Sequence, residues 1–156
     1  MEKEYNKMKY KYLILGDGYF GGKFASFLKD SFLSKTRINS LQDALNELKK
    51  YDSEVVINCI AKTGRPNIDW CEDHKPETLE SNILVPTYLA LACHQLGKKL
   101  VHMGSGCIYE GDKNGEGFSE EDEPNFFDSF YSRTKAISEK IVMEFENVLV
   151  VRLRMP

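Results

Sequence analysis

Tyr131 and Lys135 are the two residues whose types and spacing most clearly suggest chemistry. They lie four residues apart in a segment whose apolar spacing predicts a helix, so the phenol and the ammonium share one helix face. An ammonium beside a phenol stabilises the phenolate, and we therefore expect Lys135 to lower the pKa of Tyr131. The hydroxyl of Ser105, at the end of a short apolar run, could hydrogen-bond the same substrate oxygen. Together these groups could donate a proton to a carbonyl oxygen while hydride arrives at its carbon.

The spacing alone is a weak signal, because the sequence contains Tyr-x-x-x-Lys four times, starting at Tyr5, Tyr19, Tyr109 and Tyr131. The first copy lies in a charged N-terminal stretch, the second crosses a glycine turn, and the third runs into a glycine- and acid-rich loop. An arbitrary copy of the pattern is most often a solvated helix face. Only the copy at Tyr131 follows a strand end with a free hydroxyl and opens a long amphipathic segment, so we assign the chemistry to it.

A glycine-rich turn near the N-terminus predicts a dinucleotide site. A β-favouring run over residues 10–15 leads into Gly-x-Gly-x-x-Gly at 16–21 and then into a helical pattern, which is the context that gives this motif meaning. Gly16 would permit the tight turn, Gly18 would let a pyrophosphate approach backbone N–H groups, and Gly21 would let the helix pack closely on the strand. The helix N-terminus would add partial positive charge. The alternative is a glycine-rich turn that binds nothing.

Two cations favour NADP(H) as the cofactor. The acidic residue that would bind a ribose 2′-hydroxyl, expected about 20 positions after the turn, has no clear candidate. Lys35 and Arg37 instead flank a short strand predicted at 36–38, and cations there suit a 2′-phosphate. Surface charges beside a strand explain them equally well, so NAD(H) stays open. The residues expected to bind the cofactor are Gly16, Asp17, Gly18, Tyr19, Phe20, Gly21, Ile60, Ala61, Lys62, Tyr131 and Lys135.

Strand and helix patterns alternate along the sequence. Nearly continuous apolar runs are typical of parallel strands covered by helices on both faces. We therefore predict an α/β fold with a Rossmann-like, doubly wound parallel sheet, forming one NAD(P)-binding domain at 10–156 after a charged tail at 1–9. The predicted strands are 10–15, 36–38, 54–61, 99–103 and 148–153. The predicted helices are one after the glycine turn with Phe20, Phe24, Phe27, Leu28 and Phe32 on one face, and those at 41–51, 76–96 and 130–146.

Three finer expectations concern packing. Pro86 lies inside the helix predicted over 76–96 and should bend it or remove one hydrogen bond. His102, within a predicted strand, should be a core histidine rather than a catalytic one. The helix over 130–146 should turn five apolar residues inward, namely Ala136, Ile137, Ile141, Val142 and Phe145.

Composition narrows the functional classes. The net charge of −3 over 156 residues gives no electrostatic reason to expect nucleic acid or a membrane surface as a partner. The four cysteines form no CxxC pair and no metal-ligand spacing, so we expect no metal and a reducing, cytoplasmic location. We find no apolar stretch long enough to span a bilayer and no signal-peptide pattern.

The sequence resembles the extended short-chain dehydrogenase/reductases through the glycine motif at 16–21, Ser105, and the pair of Tyr131 and Lys135. Longer strings are far more specific, and they resemble the nucleotide-rhamnose synthase/epimerase-reductases, which are similar to bacterial dTDP-4-dehydrorhamnose reductase. These strings are Thr63-Gly-Arg-Pro-Asn-Ile-Asp-Trp-Cys-Glu, Gly106-Cys-Ile-Tyr-Glu, Gly117-Phe-Ser-Glu-Glu-Asp-Glu-Pro-Asn-Phe, Ser129-Phe-Tyr-Ser-Arg-Thr-Lys and Arg152-Leu-Arg-Met-Pro. The resemblance covers almost all of the chain after the tail.

The resemblance implies an NAD(P)-dependent oxidoreductase and epimerase that converts a substrate of the UDP-4-keto-6-deoxy-glucose class towards UDP-rhamnose. Tyr131 would give a proton to the C4 oxygen, Lys135 would lower the phenol's pKa and hold the cofactor ribose, and Ser105 would hydrogen-bond the C4 carbonyl. Cys107 would match the acid/base residue for epimerisation at C3 and C5, because protons next to a ketone are acidic and a thiolate can exchange them. Without the resemblance, Cys107 is equally well a small buried residue after a strand.

The sequence also departs from this family. The region between the first two predicted helices is short, which leaves the cofactor choice open. The chain stops where relatives continue, so we expect the C-terminal substrate lobe, with the partner lysine for epimerisation, to be missing. Two alternatives stay open: a non-catalytic NADP-binding regulatory subunit similar to the methionine adenosyltransferase β subunit, and a reductase of another nucleotide sugar. The expected partners are a nucleotide-sugar substrate and a second copy of the chain in a homodimer.

Overall fold

The computed structural model describes residues 8–154, and its centre is a parallel sheet of five strands. The strands of the chain are β1 (Met8–Lys9), β2 (Tyr12–Leu15), β3 (Ser31–Ser34), β4 (Tyr51–Asp52), β5 (Val55–Asn58), β6 (Lys99–Met103) and β7 (Val148–Val151). The sheet has the order β3-β2-β5-β6-β7, and every pairing in it is parallel. The helices are α1 (Tyr19–Phe27), α2 (Leu41–Lys50), α3 (Trp70–Asp73), α4 (Lys75–Leu79), α5 (Val85–Gln95) and α6 (Phe130–Val142). The predicted Rossmann-like α/β fold is confirmed.

Apolar clusters lie on both faces of the sheet, because successive strand residues point to opposite sides. Leu13 and Leu15 of β2 belong to the cluster that contains Leu89 of α5, and both are fully buried. Ile14, between them, belongs to a second cluster with Phe24 of α1. This alternation within one strand explains why its sequence is apolar throughout.

The sheet changes its direction of growth at β2, and this creates a crevice. The chain adds β3 on one side of β2 and then returns to add β5 on the other. The loops that leave β2 and β5 therefore diverge, which is where ligands bind in open α/β sheets. Leu15 pairs with Asn58 in the register, so Gly16 and Cys59 follow side by side at the crevice.

The second strand lies earlier than the sequence predicts. It spans Ser31–Ser34 rather than 36–38. It includes Phe32, which the sequence predicts to lie on the helix after the glycine turn. Helix α1 ends at Phe27, which is 84% exposed, because Leu28 is extended and Asp30 turns the chain with φ +61°. The spacing of the phenylalanines imitates one long helix face across this turn, and that is why the prediction was wrong.

The helix predicted over 76–96 is present but contains an irregular turn. A π-helical segment, Glu80–Leu84, joins α4 to α5 directly before Pro86. Proline lacks the N–H that would bond back along the helix, and the wider turn accommodates this loss. Gly97 ends the helix in the left-handed region with φ +64°, as a C-terminal glycine should.

Helix α6 is shorter and less buried than predicted. It ends at Val142, and Ile137 and Ile141 are 47% and 37% exposed rather than turned inward. The predicted tail at 1–9 also contributes its last two residues to the fold, since β1 pairs in parallel with β4. Residues 1–7 of that tail lie outside the described part of the chain.

Candidate active site

A cleft of about 950 Å³ opens at the carboxyl ends of β2 and β5. The glycine turn, residues 34–39 after β3, and residues 59–62 after β5 line it together with part of the long helical run. Of the residues predicted to bind the cofactor, Gly16, Asp17, Gly18, Ile60, Ala61 and Lys62 line this cleft, and Tyr19, Phe20, Gly21, Tyr131 and Lys135 do not. The cleft therefore matches the dinucleotide part of the predicted site.

The glycines of the turn have the three geometries that the motif predicts. Gly16 adopts φ +96°, and a Cβ on it would lie 2.9 Å from the backbone of Cys59. A Cβ on Gly21 would lie 1.8 Å from the carbonyl oxygen of Gly16, so the helix packs directly on the turn. Gly18 has open space beside it, with nothing within 4 Å of a built Cβ. No side chain caps α1 within residues 8–154, which leaves its first N–H groups available to an anion.

The loop after β3, which carries both predicted cations, forms another wall of the cleft. Lys35 and Arg37 line the cleft. Ser34 shapes the loop beneath them: its hydroxyl donates to Oε1 of the buried Glu47 and accepts from the N–H of Thr36 at 3.1 Å. Burial would raise the pKa of Glu47, but hydrogen bonds from Lys50, Ser34 and Thr36 outweigh it and lower the pKa. The carboxylate stays charged and keeps the loop in place.

Two buried asparagines hold the third wall, residues 59–62. Asn58 accepts from the N–H of Ile60 through Oδ1 at 3.0 Å and donates through Nδ2 to Nδ1 of His102 at 3.0 Å. Asn82, in the π-helical segment, accepts from the N–H of Lys62 at 2.7 Å and donates to its carbonyl oxygen at 3.0 Å. Both asparagines are fully buried, so these hydrogen bonds anchor the partly exposed segment at 59–62 to the interior.

Lys135 and Tyr131 are buried together on α6. Lys135 is 2% exposed, and its Nζ donates to the carbonyl oxygen of Met103 at 2.7 Å. Burial lowers the pKa of Lys135 to about 8. Tyr131 is 7% exposed, and burial raises its pKa, which the nearby Ser105 hydroxyl partly offsets. The expected lowering of the Tyr131 pKa by Lys135 is therefore wrong for this arrangement, in which the ammonium is directed at a backbone carbonyl.

Ser105 and Cys107 flank the start of a short 3₁₀ turn, Gly106–Ile108, directly after β6. Ser105 is buried and accepts from the N–H of Cys107 through Oγ at 3.1 Å. The hydroxyl of Ser132 donates to the carbonyl oxygen of Cys107 at 2.7 Å, which ties this turn to α6. Both Ser105 and Cys107 influence the pKa of Tyr131, so the four predicted catalytic residues form one cluster.

The cluster of predicted catalytic residues lies beside the cleft rather than in its lining, and Asn82 connects the two. Its Nδ2 donates to Oγ1 of Thr134 at 3.2 Å, and that hydroxyl donates to the carbonyl oxygen of Tyr131 at 2.8 Å. Sequence reasoning missed Asn58, Asn82 and Thr134, although a lone asparagine at the end of an apolar strand was a usable signal. The prediction of a core histidine is confirmed, since His102 is fully buried.

No group of three or more His, Cys, Asp or Glu side chains within residues 8–154 is arranged to hold a metal ion. None of the helices described there combines the length and the apolar character that crossing a bilayer demands.

The comparisons with known proteins agree on one family. A family model described as the RmlD substrate binding domain matches residues 27–155. The trifunctional UDP-glucose 4,6-dehydratase/UDP-4-keto-6-deoxy-D-glucose 3,5-epimerase/UDP-4-keto-L-rhamnose-reductase of Arabidopsis thaliana is 38% identical over 161 residues, which cover 97% of this chain and 24% of that protein. The bifunctional dTDP-4-dehydrorhamnose 3,5-epimerase/dTDP-4-dehydrorhamnose reductase of the same plant is 38% identical over 157 residues, covering 94% of this chain and 52% of that protein.

A solved structure shows the same fold. The crystal structure of the L780 UDP-rhamnose synthase from Acanthamoeba polyphaga mimivirus is similar with a TM-score of 0.85 and 30% sequence identity. The match covers 96% of this chain and 57% of that one. The present chain thus spans 24% and 52% of the two plant proteins and 57% of the viral one.

Proposed function

The chain belongs to the RmlD substrate binding domain family, and on this premise we propose that it is the NADP(H)-binding part of a nucleotide-sugar reductase. The reaction is the reduction of a nucleotide-4-keto-6-deoxy-hexose, of the UDP-4-keto-6-deoxy-glucose class, towards nucleotide-rhamnose, with epimerisation at C3 and C5. One observation carries the proposal: a cluster of Ser105, Tyr131 and Lys135 lies beside a cleft built on a glycine turn, and Asn82 joins the two.

Two features of the cleft lining, the glycine turn and a pair of cations, support the cofactor assignment. Gly18 leaves room for a pyrophosphate at the uncapped start of α1. Lys35 and Arg37 line the same cleft on the loop after β3, where cations suit the 2′-phosphate that distinguishes NADP(H) from NAD(H). The nicotinamide supplies a hydride to the sugar carbonyl carbon when the cofactor is bound. The chain's own residues bind the cofactor, orient the sugar and donate a proton to its C4 oxygen.

Tyr131 is the proton donor in this proposal. Burial raises the pKa of its phenol, so the hydroxyl is protonated at neutral pH and has a proton to give. Ser105 hydrogen-bonds the same C4 oxygen and fixes its position. Lys135 provides a buried ammonium one helical turn away, and its role in the proposal is to hold the cofactor ribose.

Cys107 is the proposed acid/base residue for epimerisation. Its thiol is half-buried, two residues after Ser105, on a turn that Ser132 holds against α6. A thiolate there can remove and return the acidic protons beside the C4 ketone. Both plant relatives combine an epimerase with a reductase, which favours this role over that of a small structural residue.

The regulatory-subunit alternative has no feature of its own in support. The residues to which we assign the reduction are all present in the chain, and the relatives named above are nucleotide-sugar enzymes. We therefore favour the enzymatic function.

We also propose that a second copy of the chain packs on the outer face of α6. Ile137 and Ile141 lie one turn apart there, and Leu79 on neighbouring α4 is 40% exposed. Light scattering should give the mass of a dimer, and Ile137→Lys should give a monomer. Leu149→Lys, on β7, is the control that should leave the mass unchanged, and a monomeric wild type would reject the dimer.

The experiment that tests the function follows NADPH oxidation with UDP-4-keto-6-deoxy-glucose, using this chain and a version extended to the relatives' length. Tyr131→Phe should abolish reduction and leave NADPH affinity nearly unchanged, whereas Tyr12→Phe should behave as wild type. Cys107→Ala should spare reduction and stop deuterium uptake from solvent at C3 and C5. Absence of NADPH oxidation by the extended protein would reject the reductase, and deuterium uptake at the wild-type rate in Cys107→Ala would reject the thiol.

A further inference from the structure

Glu139 is a buried carboxylate for which the reduction chemistry gives no role. It lies on α6, four residues after Lys135, and is 3% exposed. Arg152, just after β7, donates to its Oε1 from Nε at 2.9 Å and from Nη2 at 2.5 Å. Its Oε2 is also buried and has no hydrogen-bond partner within residues 8–154. A half-satisfied buried carboxylate is rare enough in native proteins to call for an explanation.

Oε2 of Glu139 and the ammonium of Lys135 lie close to the same backbone segment, Met103 and Gly104. A Cβ built on Gly104 would lie 3.3 Å from Glu139 Oε2. Lys135 Nζ donates to the carbonyl oxygen of Met103, the preceding residue, at 2.7 Å. Residues four apart on a helix lie one above the other, so the two side chains approach Met103 and Gly104 from successive turns of α6. The ammonium has three N–H donors, and this carbonyl takes one of them.

We propose that Glu139 is a positioning residue for Lys135: its carboxylate, held by Arg152, keeps the buried ammonium charged and fixed at the end of β6. The importance of that ammonium for reduction rests on the function proposed above. The electrostatic relation between Glu139 and Lys135 stands on the geometry alone.

The charges around Lys135 support this assignment. Burial lowers the pKa of Lys135 to about 8, and Glu139 is the one group that opposes this by raising it. His102, on β6, has a pKa lowered to about 3 by burial and by Lys135, so it is neutral near pH 7 and adds no charge. Tyr131 on α6 is protonated there. The other titratable groups on the elements packed against α6 are Cys71, Glu72 and Asp73 of α3, Lys75 and Glu77 of α4, Glu80 of the π-helical segment, Tyr88, Cys93 and His94 of α5, and Cys107 of the 3₁₀ turn.

Arg152 extends the arrangement to the acidic loop at 112–123. Its Nη1 donates to the carbonyl oxygens of Ser119 and Glu120 at 3.3 and 3.0 Å, and its guanidinium lies 5.4 Å from the centre of the Tyr109 ring. The hydroxyl of Tyr109 donates to the carbonyl oxygen of Asp122 at 2.6 Å. One guanidinium therefore binds both the carboxylate behind Lys135 and the loop beside the site, which keeps Glu139 in a fixed position.

The test is a pH titration of Lys135 by NMR of its ε-methylene group, identified by its loss in Lys135→Arg. Glu139→Gln removes the charge and keeps the shape, so the Lys135 midpoint should fall by about one pH unit. Glu144→Gln removes an exposed carboxylate from the segment just after the same helix and should leave the midpoint unchanged. Glu139→Asp retains the charge, so its Lys135 midpoint should lie close to that of wild type.

A midpoint in Glu139→Gln equal to that of wild type would overturn the proposal. Should Glu139→Gln fail to fold, Glu139→Met, which also removes the charge, is measured instead: a lower Lys135 midpoint than in wild type supports the proposal, and an unchanged midpoint overturns it. The titration uses neither cofactor nor sugar, so it is separate from the proposed function. A shifted midpoint in a protein that does not bind NADPH would reject the function and leave this inference standing.

Discussion

Asn82 binds both backbone polar groups of Lys62, accepting from its N–H at 2.7 Å and donating to its carbonyl oxygen at 3.0 Å. Asn82 belongs to the π-helical segment, and Lys62 belongs to the wall of the cleft. The same amide group donates to Thr134 on α6. A single side chain thus sets the distance between the dinucleotide cleft and the cluster that would protonate the substrate.

Asn82→Ala should therefore weaken both folding and cofactor binding. The change removes the hydrogen bonds to both Lys62 backbone groups and to buried Thr134, which should reduce the free energy of unfolding by about 1–3 kcal/mol. NADPH affinity should also fall, because the wall formed by 59–62 loses its support. Asn46→Ala removes an exposed side chain that accepts from Gln42 and should change the unfolding free energy by about 0.5 kcal/mol or less. Equal denaturation midpoints for wild type and Asn82→Ala would show that this side chain is not a structural link.

Gly21 and Gly22 offer a matched pair on α1. A methyl group on Gly21 would lie 1.8 Å from the carbonyl oxygen of Gly16, whereas one on Gly22 would meet nothing within 4 Å. Gly21→Ala should cost about 3 kcal/mol or more of unfolding free energy through overpacking. Gly22→Ala should increase it by about 0.5–1 kcal/mol, because alanine favours a helix interior over glycine. Thermal or chemical denaturation of the two variants checks the opposite signs, and a tolerated Gly21→Ala would contradict the close packing of the turn.

Lys35 and Arg37 should decide between the two nicotinamide cofactors. Each lines the cleft, where a 2′-phosphate would add charge-assisted hydrogen bonds. Lys35→Ala and Arg37→Ala should each weaken NADPH binding by about tenfold, equivalent to about 1.4 kcal/mol, with little effect on NADH. Lys29→Ala, an exposed cation outside the cleft, is the control. Equal losses for NADPH and NADH would mean that these cations do not recognise the 2′-phosphate.

His102 should make the fold sensitive to mild acid. Its pKa is lowered to about 3 by burial, while the unfolded chain has the ordinary value of 6.5, so the unfolded state binds more protons between these limits. The stability that the neutral ring contributes is complete above pH 6.5 and is lost as the pH falls, by roughly 1–2 kcal/mol between pH 6.5 and 5. Protonation would also oppose the Asn58 amide with a second donor.

Denaturation curves at these two pH values check the acid sensitivity. His102→Gln should remove most of the loss, and His94→Gln, at an exposed position, should retain it. An identical pH dependence in wild type and His102→Gln would show that His102 is not its source.

The alternation of apolar strands and amphipathic helices was enough to predict the fold. Some elements lie close to their predicted positions, because their apolar pattern or their boundary residue is unambiguous. Examples are the strand Lys99–Met103 and the helix that ends before Gly97. The stretch around Phe27 and Phe32 was not predictable in the same way, because four phenylalanines at helical spacing cross a turn at Asp30. Only the pairing of Ser31–Ser34 with β2 decides that this segment is a strand.

The site was predictable as far as it depends on local spacing. The glycine turn lines the cleft as expected through Gly16 and Gly18, and Ser105 lies next to Tyr131. The partner of Lys135 was not predictable, because the Met103 carbonyl and the surrounding burial come from strands and helices distant in sequence. The sign of the Tyr131 pKa shift depends on that burial, so spacing alone gave the wrong direction.

The central claim, that the glycine turn binds the phosphates of NADP(H), is tested most directly by titrating NADPH into wild type and Gly18→Ala with fluorescence detection. Gly18 has φ −73° and ψ −166°, which any residue adopts, and a built Cβ meets nothing within 4 Å. The variant should therefore unfold like wild type, while its new methyl group obstructs the pyrophosphate and weakens NADPH binding by at least about tenfold. Equal NADPH affinity in the two proteins, or no saturable binding to wild type, would contradict the account.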